Sequence, residues 1–242
     1  MTINDIDTHH EIADATRTEA NDSLVLQDSE AATLLRAAPW RRFAVIGDST
    51  AAGVGDPTPG YETVSWNNRL GRWLLAAHPN AEYHTTGRMG ATITEVAAEQ
   101  LADLHRFHPD LVHVTCGGND LFRRDVDLGR VERDLDELCT AATATGARLS
   151  MFTLADAATG PLVSMRPRLA AFADIVRRVA ARHDAILTEF WSHEARLRPD
   201  WLSSDFIHLS MSGHAVVASE MAKSLAHHAN PETPQPEFRS GH

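Results

Sequence analysis

The sequence predicts an α/β domain, a three-layer sandwich in which two layers of helices enclose a five-stranded parallel sheet. From residue 42 onward, short β-prone runs alternate with longer amphipathic runs, which is typical of βαβ units. The chain has 242 residues, enough for one large domain with a sizeable core but hardly for two independent ones. We therefore expect one folded domain with tails.

Each element of the sandwich has its own signal. The β-prone runs that predict strands cover residues 43–47, 82–86, 111–116, 148–154 and 185–190. Apolar residues recur at helical spacing over 93–104, and again over 131–142 ahead of Gly146, so both stretches predict core-facing helices. Five such strands are commonly wound in the flavodoxin-like order 2-1-3-4-5, in which ligands bind between the carboxyl ends of strands 1 and 3.

The two ends of the chain differ in composition from this domain. Residues 1–38 are mostly polar without a clear apolar period, which predicts a flexible arm that is dispensable for chemistry and forms at most a short helix over 31–38. Residues 230–242 are rich in proline and predict a disordered tail. The folded domain is thus expected over residues 39–229.

Composition also limits the partners and the compartment. The net charge of −11 argues against nucleic acid or an anionic membrane as a main partner, because both are themselves negatively charged. The first residues lack the pattern of a secretory signal and no stretch is apolar enough to span a bilayer, so we expect a cytoplasmic protein. Cys116 and Cys139 are too few for a disulfide framework and predict buried, reduced thiols.

Residues able to support nucleophilic catalysis follow the first three predicted strands. Ser49 comes directly after the first strand, and a serine nucleophile needs both a base and donors for the oxyanion that forms. Three such donors are candidates: the backbone N–H of Ser49 itself, the backbone N–H of Gly90 after the second strand, and the side-chain amide of Asn119 after the third.

A candidate base and its partner lie near the end of the domain. Asp205 precedes His208 by three positions, so one turn lets both side chains face the same way. Asp205 can then hold one ring N–H of His208, which leaves the other nitrogen to take the proton of Ser49. The sequence therefore predicts a catalytic triad of Ser49, Asp205 and His208.

Four motifs resemble the SGNH (GDSL-like) hydrolases in order and spacing, and in particular a small bacterial intracellular subgroup. They are GDS at 47–49, the glycine at 90, GxND at 117–120 and DxxH at 205–208, within about residues 42–228. The resemblance implies the flavodoxin-like SGNH hydrolase fold, no metal or other cofactor, and acyl-enzyme chemistry at Ser49 with an oxyanion hole completed by Gly90 and Asn119. Two positions depart from the family pattern, because threonines stand at 50 and 85 where leucine and asparagine are common.

Several neighbouring residues have a structural interpretation that is at least as good as a catalytic one. Asp48 and Asp120 flank the candidate site and can simply brace its loops. His214 follows His208 by six positions, which is not the spacing of a zinc pair on a helix, so we expect it to pack in the core. Trp191 and Trp201 bracket the loop that leads to Asp205 and are candidates for the wall of an acyl pocket.

The leading hypothesis is hydrolysis of a carboxylic ester or thioester of a small molecule through an acyl-enzyme on Ser49. The connections between elements are expected to be short, without an insertion for a lid, which predicts an open cleft and short acyl groups. An acyltransferase can use the same residues, and an inactive relative would only bind an acylated ligand or a partner protein. The intact set of five residues argues against the inactive relative. Neither the oligomeric state nor the natural substrate follows from the sequence.

Overall fold

The structure is a computed structural model that describes residues 17–231. Its five strands are β1 Arg42–Gly47, β2 Glu82–Thr85, β3 Leu111–Thr115, β4 Arg148–Phe152 and β5 Ile186–Thr188. All neighbouring strands are parallel, in the order β2-β1-β3-β4-β5, so the predicted flavodoxin-like sheet is confirmed. Each strand lies within two residues of its predicted ends, which is the usual uncertainty at the end of an element.

Helices cover both faces of this sheet. One face packs against α1 Asp28–Leu34, α3 Trp66–Ala77 and α7 Met211–Ala229, and the other against α4 Ile93–Phe107, α5 Leu128–Ala142 and α6 Arg166–Arg182. A four-residue helix, α2 Ser49–Ala52, follows β1 directly. Each helical layer buries its own apolar cluster against the sheet, which confirms the three-layer sandwich. Within residues 17–231, none of the helices combines the length and apolar character needed to cross a lipid bilayer.

Local sequence explains where two of these helices begin. At the start of α4, the side chains of Thr92 and Glu95 form a reciprocal capping box. The carboxylate of Asp127 accepts two backbone N–H groups of the first turn of α5. Leu104 of α4 and Leu135 of α5 are buried, as are the other members of their clusters, so the predicted apolar faces are confirmed.

The amino-terminal part differs from the flexible arm that the sequence predicts. Residues 17–38 are folded onto the domain, and α1 contacts both α3 and α7. Ala31 and Leu35 are fully buried, and the Asp22 carboxylate is bound by Arg198. Composition conceals this packing because the few buried side chains lie among polar residues whose partners are distant in the chain. Residues 1–16, and the predicted tail from residue 232 onward, lie outside the described residues.

Two connections at the carboxyl edge of the sheet are longer than the sequence analysis expects. Residues 153–165 join β4 to α6 and include the 3₁₀ helix Gly160–Met165. Residues 189–210 join β5 to α7 and include the 3₁₀ helix Glu194–Leu197. Both connections carry side chains that pack over the carboxyl ends of β4 and β5, among them Ala157 and Leu202.

Candidate active site

Ser49 lies where the chain turns from β1 into α2. Gly47 has φ +150°, and a Cβ atom there would lie 1.9 Å from the carbonyl oxygen of Thr115, so only glycine allows β1 to approach β3 this closely. The carboxylate of Asp48 accepts the backbone N–H of Thr50 at 2.9 Å and thereby caps α2. This turn holds Ser49 at the carboxyl edge of the sheet with 7% of its surface exposed.

A buried glutamine supports the same turn. The side-chain amide of Gln100 donates to the Gly47 carbonyl at 2.8 Å, and its oxygen accepts the Gly47 N–H at 2.9 Å. Both backbone groups are thereby satisfied where the strand ends, which avoids the cost of a buried unpaired group. Gln100 is not among the site residues predicted from the sequence, although the sequence carries one signal for it. It lies on the apolar face of α4 between Val96 and Leu104, where a polar side chain needs a buried partner.

The predicted base meets Ser49 from residues 198–210, which we call the histidine loop. His208 Nε2 lies 2.8 Å from Ser49 Oγ, and His208 Nδ1 lies 2.5 Å from Asp205 Oδ2. With its proton on Nδ1, the imidazole donates to Asp205 and accepts the hydroxyl proton of Ser49. The Asp205 carboxylate also accepts the backbone N–H groups of Ile207 at 2.9 Å and His208 at 3.0 Å, which fixes its orientation.

The pKa values of Asp48 and Asp205, two carboxyl groups near Ser49, are shifted in opposite directions. Burial raises the pKa of Asp48 to about 6, although the hydrogen bonds from Thr50 oppose this change. Burial also acts to raise the pKa of Asp205, but the hydrogen bonds from His208 and Ile207 outweigh it and hold that pKa below its ordinary value. Asp205 is therefore ionised at neutral pH and available as the acceptor for the imidazole N–H.

Asp56 joins the histidine loop to the segment that follows α2. Its carboxylate accepts the backbone N–H of Ser204 at 2.9 Å and the hydroxyl of the same residue at 2.6 Å. The backbone N–H of Asp56 donates to the Ser203 hydroxyl oxygen at 2.8 Å. The tip that carries the base is thus held against the segment that carries the nucleophile. Asp56 is not among the site residues predicted from the sequence, because its partner is 148 positions away.

The other two candidate oxyanion donors lie on neighbouring loops. The amide nitrogen of Asn119 donates to the Ala91 carbonyl at 3.0 Å, which uses one of its two hydrogens, and the side chain borders the same cavity as Ser49. Gly90 immediately precedes Ala91, has φ +75° and is exposed, but it is not one of the residues that line this cavity. The backbone N–H of Ser49 is the first of α2 and has no acceptor within that helix. The structure thus brings Asn119 to Ser49 and places Gly90 on the loop that Asn119 contacts.

The neighbouring residues that were expected to be structural have structural contacts. Asp120 accepts the Ile93 N–H at 3.1 Å at the start of α4. His214 Nδ1 accepts the Trp66 N–H at 3.2 Å while its Nε2 donates to the Val54 carbonyl at 3.2 Å, and burial lowers the pKa of this histidine to about 4. The two cysteines are free and buried, as predicted. In the described part of the chain, no three His, Cys, Asp or Glu side chains group as metal ligands.

An apolar cavity of about 150 Å³ lies beside Ser49 and His208. Its wall comes from β3, β4, α6 and the segment after β5, and includes Val114, Met151, Phe152, Leu169, Phe172, Val176, Phe190 and Trp201. Most of these side chains are buried, so the cavity reaches below the edge of the sheet and is deeper than the cleft expected from the sequence. Exposed side chains such as Phe206 and Ile207 also line it, so it is partly open. The two long connections cover that edge. Trp201 lines the cavity as expected, whereas Trp191 is not among its lining residues.

Comparisons with known proteins identify the family and support the fold of this chain. A family model described as the GDSL-like Lipase/Acylhydrolase family matches residues 45–216. Among solved structures, LAE5, an α/β hydrolase enzyme from the metagenome of Lake Arreo in Spain, is 26% identical with a TM-score of 0.63, and the match covers 78% of this chain and 96% of that one.

Two further structures are less similar in sequence and support the fold alone. Axe2, an acetylxylan esterase from Geobacillus stearothermophilus, is 20% identical with a TM-score of 0.62 over 76% of this chain and 94% of its own. TesA is 23% identical with a TM-score of 0.60, over 76% of this chain and 97% of its own. No curated protein matches this chain.

Proposed function

This chain belongs to the GDSL-like Lipase/Acylhydrolase family, and from that premise we propose that it cleaves carboxylic esters or thioesters through a covalent acyl-enzyme on Ser49. It is a hydrolase that acts on ester bonds. One observation carries the proposal, the unbroken hydrogen-bonded chain from the Ser49 hydroxyl through His208 to the Asp205 carboxylate. This arrangement supports the roles of nucleophile for Ser49, base for His208 and orienting carboxylate for Asp205.

In the proposed first step, Ser49 Oγ attacks the acyl carbon while His208 Nε2 takes the hydroxyl proton. Asp205 holds the opposite ring N–H and stabilises the imidazolium that results. When the tetrahedral intermediate collapses, the bond to the leaving group breaks and His208 returns the proton to the departing oxygen or sulfur. A water molecule then attacks the acyl-enzyme with His208 again as base, which releases the acid and restores Ser49.

The developing negative charge needs donors that are already in place. We assign this role to the backbone N–H of Ser49, the side-chain amide of Asn119 and the backbone N–H of Gly90. The contact of Asn119 with the Ala91 carbonyl supports its assignment, because that contact orients the amide and leaves its second N–H for the oxyanion. Gly90 has no atom within 4 Å of its Cβ position, so there is free space on that side of the residue.

The apolar cavity supports a choice of substrate class. We assign it to the acyl group, because its wall is apolar and it begins at the proposed nucleophile. Apolar cavities of this volume accept a benzene-sized guest, which corresponds to an acyl chain of about six carbons. Short-chain acyl esters thus remain the proposed substrates, with the acyl group held in this partly open cavity.

Kinetics of two alanine variants test this mechanism. Ser49→Ala and His208→Ala are each expected to lower kcat by roughly 10³-fold or more, as for members of one catalytic unit. Ser150→Ala serves as the control, because it removes a buried hydroxyl whose partner is His113 on the adjacent strand. Near wild-type turnover in either active-site variant would reject the mechanism. With added alcohol, free acid is the expected main product, and mostly new ester would instead identify an acyltransferase.

A further inference from the structure

A buried ion pair joins the segment of residues 17–26, here the N-terminal segment, to the histidine loop. Arg198 donates twice to the Asp22 carboxylate, at 2.7 Å and 2.9 Å. The same carboxylate accepts the Tyr61 hydroxyl at 2.7 Å and the Leu24 N–H at 3.0 Å. The Asp22 side chain is only 1% exposed. A charge held by four donors in a buried position is strongly oriented, and the loss of either partner leaves the other uncompensated.

The charge state of Asp22 agrees with this geometry. Burial acts to raise the pKa of its carboxyl, but the hydrogen bonds from Arg198, Leu24 and Tyr61 outweigh burial and hold the pKa below its ordinary value. The pair is therefore ionised at neutral pH, and the contact between the N-terminal segment and the loop is a charged one.

A second contact reaches the same part of the histidine loop. Arg17 is ion-paired with Asp200, and its Nε donates to the Tyr61 hydroxyl oxygen at 3.2 Å. The carbonyl of Asp200 in turn accepts the hydroxyl of Ser212 at 2.7 Å and that of Ser210. The N-terminal segment thus holds the loop where its two arms come together.

The paired arms of the histidine loop connect this anchored end to its tip. Its two arms pair at three successive positions, Trp201 with Ser210, Leu202 with Leu209 and Ser203 with His208. The tip is held separately by Asp56, as described above. A hairpin held at one end can pivot about that point. Anchors at both ends keep the imidazole at a fixed distance from the serine hydroxyl.

We propose that the N-terminal segment positions His208 for catalysis, and that Asp22 is the positioning residue through which it acts. The segment precedes residue 45, where the family match begins. The inference rests on the proposed role of His208 as the base. Asp22 touches no reacting atom. Its effect comes through Arg198, which lies on the histidine loop. A displacement of about 1 Å at a reacting group is enough to lower the rate about 10²-fold.

The test compares Asp22→Asn with Glu19→Gln. Glu19 belongs to the same segment and is ion-paired with the fully buried Arg69, which lies on α3 and not on the histidine loop. Asp22→Asn is expected to lower kcat about tenfold with KM changed less than about twofold, and to slow fluorophosphonate labelling of Ser49 in parallel. Glu19→Gln is expected to keep the wild-type kcat. All rates are measured at a temperature where circular dichroism shows each variant folded.

A second variant keeps the test decisive if Asp22→Asn does not fold. Arg198→Lys keeps the charge but cannot form both hydrogen bonds, so a smaller loss of kcat is expected. A wild-type kcat in a folded Asp22→Asn, or an equal loss in Glu19→Gln, would overturn the inference. Ser49→Ala in the same assay separates the two proposals. If Ser49→Ala still turns over ester, the assignment of Ser49 as the nucleophile is wrong. If Ser49→Ala is inactive while Asp22→Asn keeps the wild-type kcat, only the positioning role of Asp22 is wrong.

Discussion

Asp48 caps a helix, but its carboxylate is buried, which is unfavourable when it is ionised. Its carboxylate caps α2 by accepting the Thr50 N–H, but the residue is only 5% exposed and borders the cavity. Burial raises its pKa to about 6, so the folded protein carries a disfavoured negative charge at this position above that pH. An asparagine offers the same acceptor without the charge.

Replacement of Asp48 by asparagine therefore changes stability in a way that depends on pH. The folded pKa of about 6 lies above the unfolded value of about 4, so the contribution of Asp48 to stability is fully present below about pH 4 and is lost as the pH rises through 6. Asp48→Asn is expected to raise Tm by about 5 °C at pH 8 and to leave it nearly unchanged at pH 4. Thermal unfolding at both pH values measures this difference.

Asp127→Asn is the matched control for that measurement. Asp127 also caps a helix, at the start of α5, but its side chain is exposed. The change in its Tm measures the effect of replacing aspartate by asparagine at a helix cap that is not buried. An equal change in the Tm of Asp48→Asn at pH 4 and pH 8 would contradict the account of the buried charge.

The role of Asn119 is tested by its separate effects on kcat and KM. Asn119→Ala is expected to lower kcat about 10²-fold with a smaller effect on KM, because an oxyanion donor acts mainly in the transition state. Asn68→Ala, an exposed position on α3, is the control and should behave as wild type. A change confined to KM would reassign Asn119 to substrate binding.

At the scale of elements, α6 forms part of the wall of the cavity that we propose for the acyl group. Val176 lines the cavity, whereas Val179, one turn further along α6 and equally buried, does not. For the wild type, kcat/KM is expected to rise about fourfold per methylene up to about six carbons, since each buried methylene contributes about 0.8 kcal/mol. Val176→Ala enlarges the cavity and should move the optimum to acyl chains about one or two carbons longer.

Rates with a series of aryl esters from acetyl to dodecanoyl measure this shift. Val179→Ala removes the same two methyl groups from the core without opening the cavity, so it controls for lower stability. It is expected to keep the wild-type chain-length profile. If both variants shift the profile equally, or if neither does, the cavity does not hold the acyl chain.

The elements themselves were largely predictable from local sequence. The apolar residues of α4 and α5 repeat with the period of a helix, because each helix is buried on one side. Strands such as β1 and β3 are covered on both faces, so they are short runs of buried residues. The N-terminal segment has no such period. Its packing depends on pairs such as Asp22 and Arg198, which lie 176 positions apart and leave no local trace.

At the scale of the whole molecule, the parallel sheet explains why part of the site was predictable and part was not. All parallel strands end at one edge, so Ser49 and Asn119, each directly after a strand, had to lie near each other. No comparable rule predicts the cavity from the sequence, because its wall combines side chains from both sheet faces and from two long connections. The contacts of Asp56 with the histidine loop join residues 148 positions apart, and only the folded chain creates them.

The most direct test of the central claim is the site of covalent labelling by a fluorophosphonate. Such a reagent phosphonylates a serine hydroxyl that a neighbouring base activates, so the label reports the nucleophile itself. Peptide mass mapping is expected to find one label, on Ser49, that is lost in Ser49→Ala and forms about 10²-fold or more slowly in His208→Ala. A label on another serine with Ser49 unmodified, or no label on an enzyme that is still turning over ester, would contradict the account.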